Sequence, residues 1–220
     1  SLKPRPILNS FWGVLKHPQF YTYAFSGGIA SAGLFAYLSG SPFVFMKLYG
    51  VTEQQYGWIF ALIAAGLITS SQLNNLLLRR YSSEQLMRTI LILQTIIGLG
   101  LVTGTVLGVL GLTGTIFLIF LFLSCQGFSF PNSAALSMAP FTKEAGSASA
   151  LMGAIQMGLG AFAAAMVGFL NAKNAIPMTA VMAICTTIGL IILIAGKRKI
   201  QFKAKLQDIE EEALDMIEKY

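Results

Sequence analysis

AIPMTAVMAICTTIGLIILIAG, residues 175–196, runs for 22 residues without a charge and is closed by Lys197, Arg198 and Lys199. As an α-helix this stretch is about 33 Å long. That matches a bilayer hydrocarbon core of about 30 Å. It has no polar face, so a soluble fold could not leave one side of it in water. In lipid, by contrast, the helix satisfies its own backbone donors and acceptors. The stretch therefore reads as a membrane-spanning helix stopped by three cations.

The same reading recurs five times upstream, at residues 20–46, 54–78, 89–108, 113–141 and 145–170, each free of Asp, Glu, Lys and Arg. The expected fold class is an all-α membrane protein with six transmembrane helices. Composition agrees, with 55% hydrophobic residues, 11% charged residues and a mean hydropathy of +0.69 over 220 residues. A soluble domain carries about 25% charged residues. The net charge of +6 does not point to nucleic acid, because the cations cluster at the ends of apolar segments rather than along one helix face. Cys125 and Cys185 lie inside apolar segments, where cysteine is a small hydrophobe.

Loop charge sets the expected orientation. On one side lie Lys3, Arg5, Lys16, Arg79, Arg80, Arg88, Lys143 and the tail cations Lys197, Arg198, Lys199, Lys203, Lys205 and Lys219; the other side holds Lys47 and Lys173. Thirteen against two places the first side, and with it both termini, in the cytoplasm. The expected organisation is a cytoplasmic N-terminal segment (1–19), a six-helix bundle (20–196) and a charged cytoplasmic tail (197–220). The tail alternates acids with apolar residues at helical spacing, as a short amphipathic helix or a half-ordered segment would. Thr52 with Gln55, and Ser82 with Gln85, form capping-box patterns ahead of the second and third apolar segments. The chain begins at Ser1, which is expected of a piece of something longer.

Within the helices, three features depart from plain grease. Small residues recur every fourth position, at Gly100, Gly104 and Gly108 and at Gly160, Ala164 and Gly168, a spacing that suits close helix contact. Pro42 and Pro131 fall inside spans and are flanked by small or polar residues, so both are candidate kinks or hinges. Gln72, Asn74, Asn75, Gln94, Gln126, Asn132 and Gln156 place amides in or near the spans. Gln72, Asn74 and Asn75 approach Arg79 and Arg80 and are accounted for by interfacial solvation. Asn132 and Gln156 sit deep, where an amide needs a partner or a wet cavity. All nine acids lie in loops, helix ends or the tail, and the single histidine, His17, is at a membrane edge. The chain thus lacks the intramembrane carboxylate of a proton relay. No metal-ligand spacing or nucleophile–base pair is visible, so neither a cofactor nor an enzyme is expected. There is no ring of charges or filter motif of a channel either.

FSGGIASAGLFAYLSGSPFVF (25–45), FPNSAAL (130–136) and GSASALMGAIQ (146–156), with residues 52–57 and Phe60 in register between them, resemble the seventh, tenth, eleventh and eighth helices of bicyclomycin-resistance-type (Bcr/CflA) drug:proton antiporters of the major facilitator superfamily. The resemblance covers about residues 7–196. It implies a chain corresponding to the C-terminal half of that fold, a 3+3 inverted repeat with both ends cytoplasmic. It also implies proton-coupled efflux of hydrophobic or amphipathic drug-like molecules across a bacterial inner membrane. The family's proton-titrating acid belongs to an N-terminal six-helix half, an expected partner. By resemblance, the first, second, fourth and fifth helices line the cavity. The residues expected there are Phe35, Tyr37 and Phe45 for stacking and Asn132 and Gln156 for hydrogen bonding. The competing expectation is a truncated, non-transporting membrane protein, or a subunit that needs a separate N-terminal half.

Overall fold

The computed structural model describes residues 4–142, 144–170 and 174–218, with side chains over 10–142, 144–170 and 174–200. Lys3, Arg5, Lys143, Lys173, Lys203, Lys205 and Lys219 therefore enter the charge count with side chains outside the described set, where the acidic tail residues also lie. The chain folds as α1 (Pro4–Lys16), α2 (Pro18–Pro42, continued by a π-helical segment Phe43–Leu48), α3 (Glu53–Leu77), α4 (Ser83–Val106), α5 (Leu112–Met138), α6 (Ala145–Phe169) and α7 (Ile176–Glu218). Among the described residues there is no strand. Six helices, α2 to α7, are long and apolar enough to cross a membrane.

Local chemistry sets the boundaries. Pro18 opens α2 just after His17, where its missing N–H was an orphan anyway. Both expected capping boxes form. Thr52 and Gln55 exchange bonds of 3.0 and 3.3 Å at the start of α3, and Ser82 and Gln85 exchange two bonds of 3.2 Å at the start of α4. Gly108 closes α4 at φ +67°, and the bonds from Gly108 N–H to Thr105 O and from Val109 N–H to Gly104 O complete a Schellman motif. Pro42 cannot donate to the turn before it. The chain responds with a wider turn, in which Tyr49 N–H bonds Val44 O five residues back.

The packing follows a two-fold rule. Leading helix α2 packs on α6 and α7, while leading helix α5 packs on α3 and α4; α2 meets α5, and α4 meets α7. Exchanging α2 with α5, α3 with α6 and α4 with α7 maps this set of neighbours onto itself, as a 3+3 repeat demands. Helix α2 lies deepest, with 56% of its apolar 18-residue stretch buried, against 17% for α3 and 28% for α6. Those two helices therefore present the most open faces of the bundle.

Close crossings need small residues, and only some of them fall in the expected four-residue spacing. Gly127 of α5 lies against the Leu67 carbonyl of α3, where a Cβ has no room. Gly189 of α7 lets Ser26 of α2 approach, and Ser26 Oγ donates to Gly189 O at 2.7 Å. Gly100 and Gly168 face open space, and Gly108 is a helix cap. Of that expected set of glycines, Gly104 meets Leu110 and Gly160 meets the Phe35 ring. The spacing thus found Gly160, buried where α6 meets α2, and Gly104, buried on α4, while Gly100, Gly108 and Gly168 lie off the buried faces.

Two terminal features extend the sequence reading. Residues 4–16 form a helix whose Val14 is buried against Phe20, Ala24, Ala148 and Met152. At the other end, α7 runs unbroken for 43 residues through the tail, so the tail helix is continuous with the last span.

Candidate ligand-binding site

A cavity of about 290 Å³ opens among α2, α3, α5 and α6, near the middle of each helix. Its apolar wall includes Leu34, Phe35, Leu67, Phe130 and Met157; its polar groups are Ser31, Ser71, Gln126 and Gln156. Pro131 and Gly127 form part of the α5 wall. The site is thus a mostly apolar recess with a few convergent polar groups, the usual composition of a small-molecule pocket. Two leading helices and the two second helices of the repeats supply it. No group of His, Cys, Asp and Glu among the described residues is arranged to hold a metal ion.

The polar wall is organised from behind. Gln94 of α4 is fully buried; its Nε2 donates to Phe122 O at 3.3 Å and to Gln126 Oε1 at 2.9 Å. The Phe122 carbonyl accepts only, so it fixes which end of the Gln94 amide faces it. Gln126 must then offer its oxygen to Gln94, and its own Nε2 is left buried without a partner. Gln156, 9% exposed, also has its Nε2 buried and unpartnered. Ser31 differs, because its one hydroxyl hydrogen is shared between the Gly27 and Gly28 carbonyls at 2.8 and 3.0 Å, which leaves its oxygen as an acceptor only.

The expected site residues do not all meet. Phe35, Gln156 and the candidate hinge Pro131 line this one cavity. Tyr37 is buried at 1% exposure and stacks on Phe60 of α3, with ring centroids 6.4 Å apart. Phe45 is fully buried in the main core, 6.1 Å from the Tyr56 ring. Asn132 is 1% exposed and donates to Asn74 Oδ1 at 2.7 Å and to Phe128 O at 2.8 Å. Pro42 lies where α2 gives way to its π-helical segment, away from the cavity lining.

Asn74 corrects the interfacial reading given to it above, since it is 1% exposed and ties α3 to α5. Closeness to Arg79 and Arg80 along the chain says nothing about which side of the helix it occupies. Around Pro131, side chains supply donors to the local carbonyls: Ser129 Oγ to Cys125 O, Asn132 Nδ2 to Phe128 O and Ser133 Oγ to Phe130 O. Gln126 is the wall residue that sequence reading passed over. Its signal was an amide mid-span on the same helix as Pro131.

No protein-family profile matches the chain. Among curated proteins it is similar to the uncharacterized MFS-type transporter YdgK of Bacillus subtilis (strain 168), with 32% identity over 177 residues, 80% of this chain and 43% of that protein. It is also similar to the bicyclomycin resistance protein homolog of Haemophilus influenzae (strain ATCC 51907 / DSM 11121 / KW20 / Rd), with 25% identity over 185 residues, 84% of this chain and 46% of that protein. The chain spans about half the length of the curated relatives it matches.

Proposed function

We propose that this chain is the C-terminal half of a major-facilitator-type transporter of a bacterial membrane, and that it forms one wall of a proton-coupled efflux pathway for hydrophobic or amphipathic drug-like molecules. The observation that carries this reading is the cavity among α2, α3, α5 and α6, with its aromatic Phe35 and its amides Gln126 and Gln156 at mid-helix depth. Phe35 offers a ring face for stacking, and the amides offer hydrogen bonds in a dry setting.

Proton coupling needs a group that titrates inside the membrane. The described spans place Glu53, Glu84 and Glu144 only at helix starts or a cap. In this reading the coupling carboxylate belongs to a second six-helix half, which seats against the open faces of α3 and α6 and completes the cavity. Both termini of the present chain are cytoplasmic, as the loop charges favour. Pro131, in the cavity wall, is the hinge nearest the ligand, and Pro42 with its π-helical segment is a second bending point.

The test is dye or drug efflux from proteoliposomes or cells under an imposed proton gradient, with the chain alone and with an N-terminal half supplied. Efflux is expected only when both halves are present, and Phe35→Ala or Gln156→Ala should lower it without lowering protein level. Gradient-driven export by the chain alone would overturn the division of labour proposed here.

A further inference from the structure

We infer that the ligand of this cavity is a ring system bearing a carbonyl or similar hydrogen-bond acceptor, which receives the Nε2–H of Gln126. This deepens the reading above and rests on it. Three observations converge on the acceptor. Gln126 is 2% exposed and lines the cavity, yet its Nε2 has no partner. A buried donor left unmade is costly, by about 1–3 kcal/mol, and such a group in a native fold calls for an occupant. The orientation of Gln126 is also not free, because the Phe122 carbonyl holds Gln94 Nε2, and Gln94 Nε2 in turn holds Gln126 Oε1. The end of Gln126 left without a partner is therefore a donor, and an occupant that reaches it must bring an acceptor. Gln156 adds a second unpartnered Nε2 on the facing helix α6.

The wall that this chain supplies carries neither a carboxylate nor a cation, so a ligand is held on this side by hydrogen bonding and apolar contact, not by charge. An apolar ring body fills the space beside Phe35, Phe130 and Met157. At about 290 Å³ the cavity suits two or three fused rings. Gln94 touches no ligand in this scheme; it is a positioning residue that keeps the Gln126 donor forward.

Fluorenone and fluorene test this directly, since they share one ring system and differ by a carbonyl in place of a methylene. Binding is read as uptake into nanodiscs carrying the purified chain assembled with the N-terminal half of the efflux assay, in excess of uptake into empty ones. Gln126→Met should weaken fluorenone about five- to tenfold, the worth of one hydrogen bond, and leave fluorene unchanged. The comparison cancels lipid partitioning and any general loosening of the cavity. In the unsubstituted chain, the carbonyl stretch of bound fluorenone should move to lower wavenumber than in empty discs. This readout needs no variant to fold. If fluorenone and fluorene bind alike, with equal response to Gln126→Met and an unshifted carbonyl band, the acceptor inference is overturned while the cavity stands. If neither compound is taken up above empty discs, water is the only occupant, and both the inference and the cavity reading fall.

Discussion

Helix α6 separates two recesses of almost equal size and opposite chemistry. On one side is the cavity of about 290 Å³ shared with α2, α3 and α5, which carries Gln126 and Gln156. On the other is a recess of about 260 Å³ shared with α2 and α7, walled by Ile29, Leu159, Phe162, Ile184 and Ile188 without an amide. Volume does not tell them apart. What distinguishes them is two buried donors without partners, one of them held in place by a glutamine from behind. The apolar recess can gain only dispersion and burial from an occupant, which a lipid tail supplies as well as any ligand. The polar cavity can discriminate, because a site built to hydrogen-bond penalises a molecule that cannot reply.

The largest effect should come from the crossing beside the polar cavity. Gly127→Leu drives a branched side chain into the Leu67 carbonyl and pushes α3 from α5. Overpacking of this kind costs about 1–3 kcal/mol or more. Thermal unfolding of the purified protein should show a marked drop in Tm, with ligand uptake lost alongside. Gly189→Leu, at the α2–α7 crossing, should lower Tm in the same way; it is the control that separates packing from ligand chemistry.

Next in size is the contrast between the two walls. Gln156→Leu should reduce drug export about tenfold at unchanged protein level, the scale of one lost hydrogen bond. Phe162→Leu, on the apolar side, should leave export within about twofold, a change of less than 0.5 kcal/mol. Equal losses would erase the distinction drawn between the recesses.

Asn74 and Asn132 provide a smaller and purely structural test. A double-mutant cycle with Asn74→Ala and Asn132→Ala should return a coupling of about 0.6 kcal/mol, the average for interhelical hydrogen bonds in membranes. A coupling of zero would mean that the 2.7 Å contact does not tie α3 to α5. The smallest effect belongs to Lys197 and Glu84, paired at 2.7 Å with side chains 28% and 39% exposed. Glu84→Gln should shift stability by under about 1 kcal/mol, and by less still in high salt.

The spans were legible because their signal is one of composition. Twenty uncharged apolar residues admit few other readings, and the Thr52–Gln55 and Ser82–Gln85 boxes marked two starts to the residue. Rotation about the helix axis was not legible. These helices are apolar almost all round, so a sequence fixes the depth of a side chain along the span but not the face it occupies. Phe35 and Tyr37 stand two residues apart, yet one lines the cavity while the other stacks on Phe60 outside it. The same gap hid the Asn74–Asn132 and Gln94–Gln126 pairs, whose members lie 58 and 32 residues apart. Gln126 gained its meaning only from a partner on another helix.

Met157 and Phe162 allow the comparison to be measured on one helix. Met157 lines the polar cavity and is 63% exposed; Phe162 lines the apolar recess and is 66% exposed. With Cys125 and Cys185 replaced by alanine, single Met157→Cys and Phe162→Cys variants can be titrated with a membrane-permeant maleimide, with and without fluorenone. Slowed labelling at 157 and unchanged labelling at 162 is the expected result. Protection at 162, or none at 157, would contradict the placement of the ligand among α2, α3, α5 and α6.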